Sequence, residues 1–262
     1  LKSANELPRV FLTEEIVEHG TFAIDARLGE LGSRFDVATV PGSRPGEGHS
    51  YSNKAPGMSF LAVPAYALLK FFSGGERPSL VLTTWWLRAS TATLAALLFL
   101  PFFWGMARRL TDNRDAAYAS LAAYALGSMA LPYAIVFISH QVAAACAGGA
   151  FCAAVIVVRE QGRARAALAT GALAGLAILV DYQSVFASAA VGVYFVWGAP
   201  RRFRQTAWAL LGALPSAVAL GLYHTTCFGS PFRAGYNFAV DSAHKQGVMG
   251  IVGPNARAIW QA

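Results

Sequence analysis

Two residues that can bind an anion lie in one short polar stretch, directly before an apolar segment. Lys54 and Tyr51 belong to the sequence YSNKAPG at residues 51–57. This position would place the Lys54 ammonium at the depth of lipid headgroups, where it can meet a phosphate. The alternative is that Lys54 only snorkels toward water and that Tyr51 is an ordinary aromatic residue of the membrane interface.

Three further residues, in or beside apolar runs, have side chains that could take part in catalysis or binding. Glu6 can act as a general base on a hydroxyl group, or it can be one solvated acid among the eight in residues 1–57. Arg88 lies inside an apolar run, where a charged residue is costly and usually faces a cavity or partner, although it can also snorkel. His140 opens another run and can bind a phosphate or a sugar, or cap the helix with Ser139.

The sequence has no known motif for a nucleotide, a metal or an activated serine. It contains no phosphate-binding glycine loop, no dinucleotide fingerprint and no GxSxG element. Its three cysteines form neither a disulfide framework nor a set of metal ligands, and Cys146 and Cys152 lie within an apolar run. No metal site is predicted from the residues alone.

Composition predicts a membrane protein. Of the 262 residues 55% are hydrophobic and only 13% are charged, and the mean hydropathy is +0.44. A soluble domain carries about 25% charged residues. The net charge of +7 lies in short clusters between apolar runs, as in cytoplasmic loops. These features argue against a disordered protein, an ordinary cytosolic enzyme and a nucleic-acid-binding domain.

The apolar runs predict an all-α polytopic fold with six transmembrane helices and short juxtamembrane helices. A helix fits residues 12–19, and the apolar segment 58–73 is too short to cross a bilayer, so we expect it to lie at the interface or to re-enter. The six predicted spans are residues 80–107, 116–133, 141–158, 166–180, 184–197 and 206–223.

Loop charges predict the orientation of these spans. Three loops are rich in arginine, and the positive-inside rule places them in the cytoplasm. The residues concerned are Arg108, Arg109, Arg114, Arg159, Arg163, Arg165, Arg201, Arg202 and Arg204. Residues 1–78 then form an extracytoplasmic loop, residues 79–224 the transmembrane bundle, and residues 225–262 a second extracytoplasmic loop. We therefore expect any chemistry on the periplasmic or extracellular face.

In order and content these segments resemble the glycosyltransferase C superfamily. They are similar to bacterial membrane proteins related to protein O-mannosyltransferases and the lipid A aminoarabinose transferase. The segments that carry the resemblance are LTEEIVEHGTFAID at 12–25, YSNKAPG at 51–57, LRAS at 87–90, PYAIVFISHQ at 132–141, GLAILVDY at 175–182 and FGSPFRAGYN at 228–237. By this resemblance we expect the chain to be a piece of a longer protein that lacks the first helix and the C-terminal part.

The resemblance implies an inverting sugar transfer at the extracytoplasmic face of the bacterial inner membrane. Glu6 matches the catalytic acid of the family, although relatives often carry Asp there and Asn5-Glu6 departs from the pattern. Lys54, Arg88, Tyr51 and His140 would bind the phosphate of a polyprenyl-phosphate sugar donor. Some relatives use a divalent metal and others do not. Membrane lipid is a further expected partner.

Two other functions fit the same sequence features. The first is a non-catalytic structural subunit that keeps this scaffold and binds protein partners in a larger membrane complex. The second is a transporter or lipid flippase, which would place polar residues along a path through the membrane midplane. The ionisable residues lie mostly at span ends, so the transporter ranks third.

Overall fold

The computed structural model describes residues 5–30, 36–42, 47–160 and 164–240. It is 75% helical, which confirms the helical class predicted from the sequence. Its α-helices are α1 (Leu7–His19), α2 (Gly57–Phe72), α3 (Leu80–Leu87), α4 (Leu94–Leu110), α5 (Arg114–Gly127), α6 (Ala130–Ala134), α7 (Ser139–Arg159), α8 (Ala164–Val180), α9 (Ser184–Gly198) and α10 (Arg202–Phe228). Arg163 and residues 241–262 of the predicted C-terminal loop lie outside the described residues.

The chain divides into two compact units. The first comprises the described residues up to Lys54 together with those from Gly221 onward, and the second runs from Ala55 to Leu220. Helix α10 therefore contributes its last turns to the first unit and the rest of its length to the second.

The first unit contains a β-hairpin that the sequence patterns did not predict. Strands β1 (Val37–Pro41) and β2 (Gly48–Ser52) pair antiparallel, with Val37 opposite Ser52 and Pro41 opposite Gly48. Helix α1 packs against β2, and short 3₁₀ helices follow at Asp25–Glu30 and Gly235–Phe238. The hairpin is short and only partly apolar, so alternation of hydrophobic residues gives it little signal.

Helix α1 begins five residues before the helix predicted from residue 12. Pro8 lies in its first turn, where backbone amides have no partner within the helix, so proline costs no hydrogen bond there. The helix ends at Gly20, whose left-handed conformation (φ 65°) lets its amide bond back to the Glu15 carbonyl. Its residues from Leu7 to Glu15 are buried, including the two acids Glu14 and Glu15.

In the second unit the first predicted span is longer than expected and contains an irregular turn. Helices α3 and α4 are joined by a π-helical segment, Arg88–Thr93, to give one helical stretch from Leu80 to Leu110. Side chains bond back to the backbone within the segment, such as the Ser90 hydroxyl to the Trp86 carbonyl at 2.7 Å. Turns of this kind occur mainly inside α-helices and often at functional sites.

The second predicted span, residues 116–133, is divided between two helices. Helix α5 ends at Gly127 and α6 begins at Ala130. At the break the Ser128 hydroxyl donates to the Tyr124 carbonyl at 2.6 Å and accepts from the Ala130 amide at 3.1 Å. The Ser128 hydroxyl thus satisfies backbone groups that a continuous helix would bond internally.

Within the described residues, three helical stretches are long and apolar enough to cross a membrane, which indicates membrane association. They are Leu80–Leu110, Ser139–Arg159 and Arg202–Phe228, of 31, 21 and 27 residues. Helices α2, α8 and α9 are apolar but shorter. At 1.5 Å per residue the 16 residues of α2 extend about 24 Å, less than the hydrocarbon core of about 30 Å. Its length suits the interfacial or re-entrant position expected from the sequence.

Glycines allow the close approach of α8 and α10 within the second unit. A Cβ atom at Gly171 would lie 1.7 Å from the Ala209 carbonyl oxygen, and one at Gly175 would lie 3.1 Å from the Ala213 Cα. From the other side, a Cβ at Gly212 would lie 2.1 Å from the Leu168 carbonyl oxygen. Small residues four apart permit this backbone contact between helices in lipid.

Replacing Gly171 with alanine should therefore destabilise the protein, because α8 and α10 must separate to admit the methyl group. Overpacking of this kind costs about 1–3 kcal/mol. The matched control is Gly192→Ala in α9, where an added Cβ meets nothing within 4 Å. Thermal unfolding in detergent should give a lower midpoint for Gly171→Ala and no decrease for Gly192→Ala. Equal midpoints for the two variants would contradict this account of the packing.

Candidate functional site

The β-hairpin positions Lys54 beside a buried acid in the first unit. The Asn53 amide donates to the Asp36 carbonyl at 2.9 Å and so closes the open end of the hairpin. Across this end the Lys54 Nζ atom lies 2.7 Å from Asp36 Oδ1. The Lys54 side chain is 14% exposed and that of Asp36 only 2%, so the ammonium is paired rather than extended into solvent.

The C-terminal part of the first unit covers the same lysine. Lys54 Nζ lies 3.5 Å from the Tyr236 hydroxyl and 5.0 Å from the centre of the Tyr236 ring. Beside it, a Cβ atom at Gly235 would lie 2.6 Å from the Asn53 Cα, so a glycine is needed for this approach. An ammonium over a tyrosine ring gains cation–π attraction in addition to its ion pair.

Tyr51 also contacts the C-terminal segment of the first unit. Its ring meets that of Phe228 edge to face, with centroids 5.8 Å apart, and the Tyr223 hydroxyl donates to the neighbouring Ser52 carbonyl at 3.3 Å. Burial, followed by the nearby Cys227 and Asp25, raises the pKa of the Tyr51 phenol. The phenol therefore stays protonated at neutral pH and can donate a hydrogen bond.

Polar atoms beside Lys54 have unused bonding capacity. The Asn53 side chain is fully buried, and neither its Oδ1 nor its Nδ2 forms a hydrogen bond within the described part of the chain. The same is true of Asp36 Oδ2. Leaving such groups unsatisfied costs about 1–3 kcal/mol each, so water or a ligand is expected to bond to them.

Glu6 lies at the start of α1 in the first unit and is buried, with 2% of its surface exposed. Its carbonyl accepts the amides of Arg9 and Val10, both at 3.0 Å, and so begins the helix. The alternative that Glu6 is a solvated acid is therefore wrong. Glu6 shares the unit with Lys54 and Tyr51, and its helix packs against β2, the strand that leads to Lys54.

The second unit contains the other two predicted site residues. Arg88 is half-buried at the first position of the π-helical segment. His140 lies in the first turn of α7, where its side chain is 48% exposed. Its Nδ1 atom lies 3.1 Å from Asp181 Oδ2, and its ring meets the Tyr133 ring edge to face at 4.8 Å between centroids.

Asp181 links the end of α8 to the start of α7. Its Oδ2 atom accepts the Ser139 hydroxyl at 3.0 Å as well as His140 Nδ1, and its Oδ1 accepts the Gln183 amide at 3.1 Å. Burial acts to raise the pKa of this carboxyl, but the hydrogen bonds from His140, Gln183 and Ser139 outweigh burial and hold the pKa below its ordinary value. Asp181 is therefore ionised at neutral pH.

Sequence reasoning did not identify Asp36 and Asn53 as site residues. Asp36 was one acid among the eight in residues 1–57, and it lies 18 positions before its partner Lys54. Its backbone has a positive φ of 63°, which Asp tolerates better than most residues. No three His, Cys, Asp or Glu side chains in the described ranges group together as metal ligands.

Removing the charge of Asp36 should destabilise the first unit, because Asp36→Asn leaves the Lys54 ammonium buried without a counter-charge. Breaking a buried pair by removing one partner costs about 3–5 kcal/mol. The control is Glu160→Gln, which breaks the exposed pair between Glu160 and Arg109 and should cost less than about 1 kcal/mol. Thermal unfolding of both variants measures the difference, and equal losses would show that the Lys54–Asp36 pair is not buried.

Asp181 should make stability depend on pH in the acid range. Because its folded-state pKa is lowered, its contribution is complete above the unfolded-state pKa of about 4 and is lost as the pH falls through the folded-state value. The unfolding midpoint should therefore decrease on acidification below about pH 4, and less steeply in Asp181→Asn. Asp112→Asn, at an exposed position after α4, should keep the slope of the parent. Parallel slopes for Asp181→Asn and the parent would contradict this.

Comparison of the chain with family models, with curated proteins and with solved structures finds no match. The resemblance to the glycosyltransferase C superfamily therefore stays a prediction from the sequence segments themselves.

Proposed function

We propose that this protein is a membrane glycosyltransferase that moves a sugar from a polyprenyl-phosphate donor to an acceptor hydroxyl on the extracytoplasmic side of the bacterial inner membrane. Glu6 is the proposed base. Lys54 and Tyr51 in the first unit, and Arg88 and His140 in the second, are the proposed ligands of the donor phosphate.

One observation in the first unit carries the proposal. The two more specific segments of the resemblance, residues 51–57 and 228–237, are far apart in the sequence but contact each other in the fold. Lys54 lies against Tyr236 and Tyr51 against Phe228. A contact made only by apolar groups would say little about function. This contact brings together an ammonium, a phenol and the unsatisfied side-chain amide of Asn53, which are groups that can bind a phosphate.

The proposed reaction is a single displacement with inversion at the anomeric carbon. Glu6 takes the proton of the acceptor hydroxyl, whose oxygen forms the new bond to the sugar. The bond from the sugar to the phosphate breaks, and its electron pair goes to the phosphate oxygen. Lys54 stabilises this developing charge, a contribution that is typically about 3–4 kcal/mol for one preorganised donor.

The Lys54–Asp36 pair adds a requirement to this mechanism. The donor phosphate must compete with the Asp36 carboxylate for the ammonium, or bind to it together with Tyr236 and Asn53. A phosphate offers more acceptor oxygens than one carboxylate, and the free amide of Asn53 can add a hydrogen bond. In this account the ion pair keeps Lys54 in position until the donor arrives.

The six-span topology is part of the proposal. Helices α8 and α9, of 17 and 15 residues, would form the fourth and fifth spans, and α5 with α6 would form the second. Spans this short require local thinning of the bilayer or shelter by neighbouring helices. The three arginine-rich loops would then lie in the cytoplasm and the proposed site residues on the opposite face.

The test is sugar transfer by the full chain in lipid nanodiscs. Undecaprenyl phosphate carrying radiolabelled mannose, glucose or galactose is supplied with membranes that provide acceptors, and loss of the sugar from the lipid is measured. Lys54→Met should lower the rate at least about 100-fold if it stabilises the departing phosphate. Glu6→Gln should lower the rate by a similar factor by removing the base.

Lys70→Met is the matched control for Lys54, because Lys70 lies in the last turn of α2 and has no proposed contact with the donor. Its rate should equal that of the parent. Equal losses in Lys54→Met and Lys70→Met, with both proteins folded, would contradict the assignment of Lys54. No transfer from any of the three donors, with tight binding of a membrane protein partner instead, would replace the proposal by the second candidate.

That second candidate is a non-catalytic subunit of a membrane complex built on the same scaffold. The observation that favours it is the same ion pair, since Lys54 already has a counter-charge and Glu6 is buried. A subunit of this kind predicts that Lys54→Met affects stability and assembly but no chemical rate.

A further inference from the structure

His140 and Asp181 have the geometry of a proton-transfer dyad in the second unit. The Asp181 carboxylate accepts from His140 Nδ1 at 3.1 Å and is itself held by Ser139 and Gln183. The other ring nitrogen, Nε2, forms no hydrogen bond with a described residue, and the side chain is 48% exposed. The pair joins residues 41 positions apart, so the fold and not local sequence brings them together.

This arrangement determines which nitrogen exchanges its proton. An ionised carboxylate accepts a hydrogen bond from Nδ1–H in the neutral and in the protonated imidazole alike. The Nδ1 proton is therefore retained, and gain or loss of a proton occurs at Nε2. Since Asp181 keeps its own contacts to Ser139 and Gln183 throughout, it can orient the ring without becoming protonated.

Two other histidines in the described ranges are paired with carboxylates, but neither pair has this geometry. His49 lies 2.9 Å from Asp25, and the two side chains are 67% and 39% exposed, so water can replace either partner. His19 lies 2.7 Å from Glu15 one turn earlier on α1, which is the usual place for a histidine at a helix C-terminus. Only Asp181 among the three carboxylates receives hydrogen bonds from a hydroxyl, an amide and an imidazole.

We infer that His140 is the general acid of the transfer, donating its Nε2 proton to the departing phosphate, and that Asp181 is its positioning residue. This inference rests on the proposed function. As the bond between the anomeric carbon and the phosphate oxygen breaks, the electron pair goes to that oxygen and the Nε2 proton moves to the phosphate. The acceptor oxygen bonds to the carbon and gives up its proton to the base of the transfer, so charge and protons balance.

The groups around His140 suit this role. Asp181 lies on the Nδ1 side of the imidazole and is its counter-charge. The Tyr133 ring on α6 meets the imidazole edge to face and carries no charge. Ser139 is engaged with Asp181. These are the polar and aromatic groups of α6, α7 and the turn after α8 that the structure places on the imidazole, and the Nε2 side is left for the substrate.

The first test is the pH dependence of transfer by the full chain in nanodiscs. The rate of the parent should fall as the pH is raised, because the general acid must carry its proton on Nε2. His140→Gln should be slower by about 100-fold and should lack this decrease. Asp181→Asn should bind donor as well as the parent but turn it over more slowly. The control His49→Gln should keep the rate and the pH profile of the parent.

The second test does not depend on transfer. In protein labelled with ¹⁵N-histidine, the His140 signals are assigned by their loss in His140→Gln. We expect Nδ1 to stay protonated at all pH values and Nε2 alone to change. Undecaprenyl phosphate should shift the Nε2 signal. A similar shift with inorganic phosphate would show that the phosphoryl group is sufficient. A shift with undecaprenyl phosphate but not with inorganic phosphate would show that the prenyl chain is also required.

The two tests separate this inference from the proposed function. If no donor supports transfer but undecaprenyl phosphate shifts Nε2, the transferase proposal fails and the dyad remains a phosphate-binding acid. If transfer occurs and His140→Gln keeps the pH profile of the parent, the inference fails and the transferase proposal stands. A neutral ring with its proton on Nε2, or Nε2 unmoved by both phosphates, would also overturn it.

Discussion

The buried ion pair between Lys54 and Asp36 organises the first unit. Both charges leave water on folding, and they are tolerated only because they lie 2.7 Å apart at the open end of the hairpin. The pair requires the hairpin register, since the Asn53 amide must reach the Asp36 carbonyl. It also explains why Tyr236 and Gly235 lie where they do: the phenol covers the ammonium, and the glycine allows the backbone of Asn53 to approach. A lysine held in this way is oriented in advance for an anion, which is the property that the proposed function uses.

Close packing of helices has the corresponding role in the second unit. Helix α7 packs most extensively against α8, and α8 approaches α10 through glycines that admit no side chain. This packing brings the end of α8 beside the start of α7. Asp181 and His140 occupy those two positions, so their hydrogen bond is a consequence of how the helices are stacked.

Much of the helical architecture was predictable, because apolar runs of sufficient length have few alternatives to a helix in lipid. The helices at 139–159, 164–180 and 184–198 agree with the predicted spans to within a few residues. The prediction failed where side chains compete for backbone groups. Ser128 divides the second predicted span, and Ser90 and Thr91 bond to the backbone in the π-helical segment. The hairpin was missed because its strands are short and only partly apolar, and its contacts with α1 and with the 3₁₀ helix Gly235–Phe238 cannot be seen in its own pattern.

The sequence by itself determined that this is a helical, membrane-associated chain. It also identified Lys54, Tyr51 and His140 as residues that could take part in binding or catalysis. Composition and apolar periodicity are sufficient for the first conclusion, since the transfer of backbone and side chains into lipid depends on local sequence. Only the tertiary structure decided which charges meet. Asp36 pairs with Lys54 across the hairpin, and Asp181 pairs with His140 across two helices. The energy of such a pair depends on distance and burial, which are set by long-range contacts that one sequence does not display.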